Sequence, residues 1–174
     1  MSLTPAAETD LADVAALVNA SYRGAGGWTS EVGVVDGTRT SVEALQADIA
    51  GQPDATLLVW RDTSDGPILG CVWLEPAGPQ VWYLGLLTVR PDLQDRRLGR
   101  TVLDAAESFA AANGARRVRM TVVHVRDTLI AWYERRGYAR TGETRPFPYD
   151  DQRFGAPRRA DLRFVVLEKT VAAL

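Results

Sequence analysis

Residues 84–101, LGLLTVRPDLQDRRLGRT, decide how this chain is read. An apolar strand from Leu84 to Val89 breaks at Pro91, crosses a short polar loop and enters an arginine-bearing helix at Leu98–Gly99. The start of a helix leaves several backbone N–H groups without intrahelical partners, and the helix dipole adds to their pull. Together they make an anion site suited to a diphosphate. Arg96, Arg97 and Arg100 reinforce it, because guanidinium matches phosphate geometry. Such a cluster is elsewhere usually a solvated face, and its place at a strand-to-helix junction is what points to phosphate.

Outward from this segment, the patterning is that of one mixed α/β domain spanning residues 1–174. Toward the N-terminus, residues 2–6 read as a strand. Thr9 or Asp10 then caps a helix with Leu11, Val14, Ala15, Leu17 and Val18 on one face. Residues 24–37 are a glycine-rich loop carrying Trp28, and Thr40-x-x-Glu43 is a capping box opening a helix to about Ala50. Strands follow at 55–61, 68–75 and 81–89, separated by Asp65-Gly66 and by Pro76–Pro79. The central helix runs from Leu98 to about Ala112, with Val102, Ala106, Phe109 and Ala110 on its apolar face. A strand at 117–124, a helix from Asp127, and strands near 139–144 and 162–169 complete the chain. The strand-helix-strand crossover in the middle implies a parallel pair. Residues 145–161 form a loop rich in aromatic residues, proline and charge.

Composition narrows the function classes. With 174 residues, a chain of this kind buries roughly 70% of its unfolded surface. A formal net charge of −2 argues against nucleic acid as a partner. The one cysteine, Cys71, lies in an apolar run and reads as a core residue. No run approaches the ~20 apolar residues that cross a bilayer, and no apolar leader opens the chain, so a cytoplasmic protein without membrane contact is expected. There is no CxxC or HExxH, and only one histidine, so no metal site is expected.

The segment resembles the cofactor motif of the GNAT superfamily of acetyl-CoA-dependent N-acetyltransferases. That motif reads Gln/Arg-x-x-Gly-x-Gly/Ala after a Leu-x-x-Leu-x-Val strand and a proline. Here Leu84, Leu87, Val89 and Pro91 precede Gln94-Asp95-Arg96-Arg97-Leu98-Gly99. Arg97 stands where the family has its first glycine, a residue suited to positive φ and close backbone approach. A second segment, Asp127–Tyr138, resembles the family's late helix through Tyr133, Gly137 and Tyr138, although Arg126 takes the place of the usual asparagine.

The resemblance implies a GNAT-like fold: a mixed, mostly antiparallel sheet of about seven strands, splayed in the middle and flanked by about four helices. It implies acetyl-CoA as co-substrate, a direct transfer to an amine in a ternary complex, and often a homodimer. Cofactor contacts are carried over to the backbone of Leu87, Thr88 and Val89 and to Gln94, Asp95, Arg96, Arg97, Leu98, Gly99, Arg100 and Thr101. A bulge in that strand leaves N–H groups free to polarise a thioester carbonyl. Tyr133 is the implied proton donor to the leaving sulfur, since a phenol near pKa 10 and a thiol near 8.5 exchange protons readily. No carboxylate lies in residues 80–83, so Glu75 and His124, at neighbouring strand ends, are the base candidates beside a water relay. Tyr22, Trp28, Phe147 and Tyr149 are candidates for the acceptor site, with Trp73 and Trp82 as neighbours. Asp150, Asp151 and Asp161 suit a cationic acceptor, and Arg153, Arg158 and Arg159 suit an anionic one, so charge names no substrate. A small amine is the favoured acceptor. A non-catalytic acyl-CoA sensor and a protein N-terminal or lysine acetyltransferase are the other readings.

Overall fold

A computed structural model describes residues 2–25 and 29–172, with the backbone alone given for Ser2, Gln94 and Asp95; Trp28 lies outside the described residues. The strands are β1 (Ser2–Pro5), β2 (Val35–Asp36), β3 (Thr56–Arg61), β4 (Gly70–Gly78), β5 (Val81–Val89), β6 (Arg117–Val123), β7 (Ala139–Pro146), β8 (Ala156–Pro157) and β9 (Arg163–Thr170). The helices are α1 (Leu11–Arg23), α2 (Val42–Gly51), α3 (Leu98–Ala112) and α4 (Asp127–Glu134). Seven strands form one sheet in the order β1-β3-β4-β5-β6-β9-β7, and β2 pairs with β8. Within the large sheet only β5 and β6 are parallel, as the crossover through α3 requires.

Helices cover both faces of the sheet, which explains why β3 reads as an unbroken apolar run. On one face Leu11, Val14, Leu17 and Val18 of α1 and Leu45 of α2 pack on Leu57, Val59 and Cys71. On the other, Val102, Leu103, Ala106 and Ala110 of α3 and Ile130 of α4 pack on Leu58, Val72, Val118 and Leu167. Leu103 is wholly buried, so its truncation to alanine costs about 2–5 kcal/mol. The edge strand β7 is exposed throughout and carries Arg140, Glu143 and Arg145, charges that discourage pairing with another chain.

Two helix caps differ from the sequence reading. Ser41, not Thr40, caps α2 by accepting from the Ala44 N–H at 3.1 Å. Thr40 is instead buried against α1, where Asn19 bonds its backbone. Asp10 makes no side-chain cap on α1. Its carboxylate accepts from the Ala7 N–H and pairs with Arg61 at 2.6 Å, tying the helix start to β3. The loop at 145–161 contains β8 and a short 3-10 turn, Gln152–Phe154. Among the described residues, no helix is long and apolar enough to cross a membrane, and no group of acidic, histidine or cysteine side chains is placed to hold a metal.

Candidate active site

The sheet splits at its centre. Strands β5 and β6 pair at Val81–Arg117, Trp82–Val118 and Tyr83–Arg119, and beyond that point both continue unpaired with each other. A bulge in β5 accompanies the split. Between the pairs Cys71–Thr88 and Trp73–Gly85, β4 supplies Val72 alone where β5 supplies Leu86 and Leu87. Leu86 takes φ 54°, a left-handed conformation costing a leucine about 1–3 kcal/mol. Its carbonyl is held by the Thr88 hydroxyl at 2.9 Å and the Cys71 thiol at 3.7 Å. Thr88 and Cys71 therefore hold the bulge in place.

Three adjoining cavities follow this opening. The first, about 130 Å³, lies in the split and is bordered by Tyr22, Tyr83, Leu87, Arg126, Tyr133 and Phe147. The second, about 200 Å³, lies at the start of α3 and shares Leu87, Leu129 and Tyr133 with the first. The third, about 310 Å³, is a groove between α2 and strands β4 and β5 that shares Arg39, Tyr83, Gly85, Leu86 and Phe154 with the first. Tyr133 thus stands where the first two meet, and Arg39 where the first and third meet.

The second cavity carries the anion-seeking chemistry. Residues 91–96 form a 3-10 turn, and Arg97 follows with φ 62° and ψ 8°. The loop still demands a left-handed residue, and arginine meets that demand at a strain cost of about 1–2 kcal/mol. Among the described residues no side chain caps the start of α3 and no acid lies in its first turn, which leaves its amide end suited to a negative group. Arg97 and Arg100 border the cavity, whereas Arg96 is exposed beyond its lining. Thr101 turns its hydroxyl back onto the Arg97 carbonyl at 3.3 Å. Arg136 joins them, a residue the sequence motifs did not flag. Its guanidinium lies 3.5 Å over the Trp132 ring, donates to the Trp132 carbonyl at 2.8 Å, and leaves a buried Nε without a partner among the described residues. Burial and the neighbouring Arg135 and Arg100 charges hold its pKa below the ordinary guanidinium value. Gly99 packs against Trp132, its missing side chain 3.6 Å from the ring.

Tyr133 is fixed on α4 between the Trp132 and Tyr138 rings. The helix stops just after it because Gly137, at φ 90°, lets the Tyr138 N–H return to the Tyr133 carbonyl. Burial pushes the Tyr133 phenol well above its ordinary value, with Tyr22 adding to the rise and Arg126 opposing it. The group therefore stays protonated. Among the described residues no hydrogen bond occupies its hydroxyl. Tyr138, by contrast, donates to Glu107 at 2.9 Å, and Glu107 also takes Lys169, so that tyrosine is structural.

A buried ion cluster forms one wall of the split. Glu31 pairs with Arg23, and at 3.7 Å with Arg126. Arg126 sits where α4 begins, so the usual asparagine is replaced by a cation whose charge Glu31 offsets. Burial pushes the Tyr22 phenol up to about 12, as Arg39 partly opposes it.

The base candidates separate in space. Glu75 borders the third cavity and accepts from the Trp73 indole N–H at 2.8 Å. His124 borders none of the three cavities, and its Nδ1 faces the Arg163 N–H at 3.4 Å. The acceptor candidates separate too. Tyr22 and Phe147 border the split. Tyr149 instead staples its own loop, donating to the Arg159 carbonyl and accepting from the Leu162 N–H. Trp82 packs edge-on against Phe109. The loop charges neutralise each other as Arg153–Asp151, Arg159–Asp161 and Arg158–Asp36. Burial pushes the Cys71 thiol up to about 12, which removes its thiolate at ordinary pH.

Comparison with known proteins supplies an independent view. The model of the acetyltransferase (GNAT) family matches residues 28–138. No match is found among curated protein sequences. Among solved structures, a proposed phosphinothricin N-acetyltransferase superposes with TM-score 0.71 at 16% identity, covering 98% of each chain. A ribosomal-protein-alanine N-acetyltransferase from Brucella melitensis gives TM-score 0.69 at 17% identity, over 98% of this chain and 100% of that one. A spermidine N-acetyltransferase variant from Vibrio cholerae gives 0.67 at 13% identity, over 98% and 95%. At these identities the likeness is one of fold.

Proposed function

Because this chain belongs to the GNAT acetyltransferase family, we propose that it moves an acetyl group from acetyl-CoA to a small-molecule amine by direct attack in a ternary complex. The observation that carries this reading is the split between β5 and β6, which leads from the uncapped start of α3 past Tyr133 to an open groove. A diphosphate fits the first end, where the α3 amides meet Arg97, Arg100 and Arg136. Acetyl-CoA supplies a thioester, an acyl group already activated toward amines.

In this reading the chain's own groups do four things. The three arginines and the α3 amides hold the phosphates. Backbone N–H groups at the Leu86–Leu87 bulge polarise the acyl oxygen, an electrostatic role that is commonly the largest single contribution to catalysis. The Tyr133 hydroxyl, kept protonated by burial, hydrogen-bonds the departing sulfur, and because burial also weakens it as an acid, its proton passes to the sulfur in concert with the amine's proton returning to the phenol. Glu75, at the groove, takes the proton that the incoming ammonium releases, directly or through water. Cys71 is no nucleophile, since it is buried with a raised pKa, and this favours direct transfer over a covalent acyl-enzyme.

One observation favours a second reading, a domain that binds acyl-CoA without turning it over. Glu75 is engaged by the Trp73 indole and His124 borders none of the three cavities, so among the described residues neither base candidate stands unengaged in the split. Thiol release from acetyl-CoA across a panel of amines separates the two. Turnover on any acceptor supports the transferase, and binding of acetyl-CoA without turnover on any of them overturns it.

A further inference from the structure

Arg39 lies at the meeting of the split and the groove. Its backbone is clamped to α1: Asn19 Oδ1 accepts from the N–H groups of Arg39 and Thr40 at 2.6 and 3.2 Å, and Asn19 Nδ2 donates to the Thr40 carbonyl at 2.9 Å. Its guanidinium lies 5.4 Å from the ring centres of both Tyr22 and Phe154. The Phe154 segment is itself held, since Arg23 donates to its carbonyl at 2.9 Å. The cation is thus fixed by backbone and rings at the mouth of the site.

The charges around it are otherwise compensated. Arg126 pairs with Glu31, and Arg153 pairs with Asp151 and Asp48. Among the described residues, Arg39 pairs with no carboxylate and Glu75 with no cation, and both border the groove. A groove with one uncompensated cation and one uncompensated carboxylate complements a zwitterion. A guanidinium is also the side chain that best grips an oxyanion in two-point fashion.

We propose that the acceptor is a small amine that also carries an oxyanion, in the manner of an amino acid. Arg39 binds the acid group, and Glu75 faces the nitrogen. The inference rests on the transferase reading above. An incoming ammonium gives up one proton to Glu75 or water through the groove, the nitrogen–carbon bond forms as the carbon–sulfur bond breaks, and the second nitrogen proton restores the Tyr133 phenol. The sulfur keeps the proton delivered by Tyr133, so the products are an N-acetyl acid and a free thiol.

The test measures thiol release by the full chain with acetyl-CoA, comparing amino acids with the amines left when their carboxyl groups are removed. The acid-bearing set is expected to show the higher kcat/KM by about tenfold or more. Arg39→Met is expected to bring that ratio toward one through KM rather than kcat, and Arg39→Lys to restore part of it, with the acetyl-CoA melting shift retained in both. Preference for the acid-free amines overturns the inference, as does an equal effect of Arg39→Met on both sets. Acetyl-CoA binding with no release from any acid-bearing amine overturns it too. Absence of acetyl-CoA binding overturns the transferase reading itself, and this inference with it.

Discussion

The Tyr83 hydroxyl lies 3.1 Å from the Thr121 hydroxyl, bridging β5 and β6 just past the point where their backbone pairing ends. It is a pin at the root of the split: the ladder stops at Tyr83–Arg119, and this side-chain bond holds the strands before the bulge takes β5 away. Tyr83→Phe removes it and leaves Thr121 unmatched. The expected loss is about 1 kcal/mol, or a melting temperature lower by about 2–4 °C. A thermal melt checks this, and an unchanged midpoint would show that the pin adds nothing.

Tyr133→Phe tests the proton donor. Its hydroxyl has no protein partner among the described residues, so removing it should leave the melting temperature nearly unchanged. The value of kcat should fall by about 10²–10⁴-fold with acetyl-CoA affinity retained. Steady-state kinetics decide it, and full kcat in the variant would refute the role.

Arg97→Gly separates strain from charge. The position has φ 62°, so glycine relieves a left-handed arginine and should stabilise the chain by about 1 kcal/mol, less what its added freedom in the unfolded chain takes back. The lost guanidinium should weaken acetyl-CoA binding, by about 1.5–3 kcal/mol if it contacts phosphate. Denaturant midpoints and calorimetric titration read the two effects separately. Tighter binding in the variant would show that the arginine obstructs the loop.

Stability should fall at alkaline pH for an identifiable reason. Burial raises the Cys71 thiol from 9.0 to about 12 and the Tyr22 phenol from 10.0 to about 12. Above pH 9 the unfolded chain releases protons that the folded chain retains, so the unfolded state binds fewer and stability drops as pH rises. The contribution of these groups is intact below their ordinary values and is lost on the way to pH 12. Each group adds a slope of up to about 1.4 kcal/mol per pH unit. Cys71→Ala should therefore flatten the decline across this range, measured by denaturant titration at successive pH values. An equally steep decline would show that the thiol is not the source.

Much of this was legible in the sequence, for local reasons. The apolar run before Pro91 and the 3.6-residue periodicity after it placed β5 and α3 with their junction, and the requirement for positive φ at residue 97 was visible in the motif that arginine interrupts. What escaped depends on tertiary partners. Glu31 sits in a loop with no local pattern, and only Arg23 and Arg126, brought to it by folding, make it a buried wall of the site. Arg136 reads as one more charge near the end of α4 until Trp132 stacks beneath it. Arg39 belongs to a turn whose placement Asn19 sets from another helix. Thr40 looked like a cap because spacing alone cannot tell which of two adjacent hydroxyls folding will bury.

The central claim is that the split between β5 and β6 receives acetyl-CoA, and thermal unfolding with and without that compound tests it most directly. At a concentration 100 times its Kd, a ligand bound only by the folded chain adds about 2.7 kcal/mol, a rise of about 5–10 °C for a chain of this size. That rise is the predicted result. An unchanged melting temperature at millimolar acetyl-CoA would contradict the account.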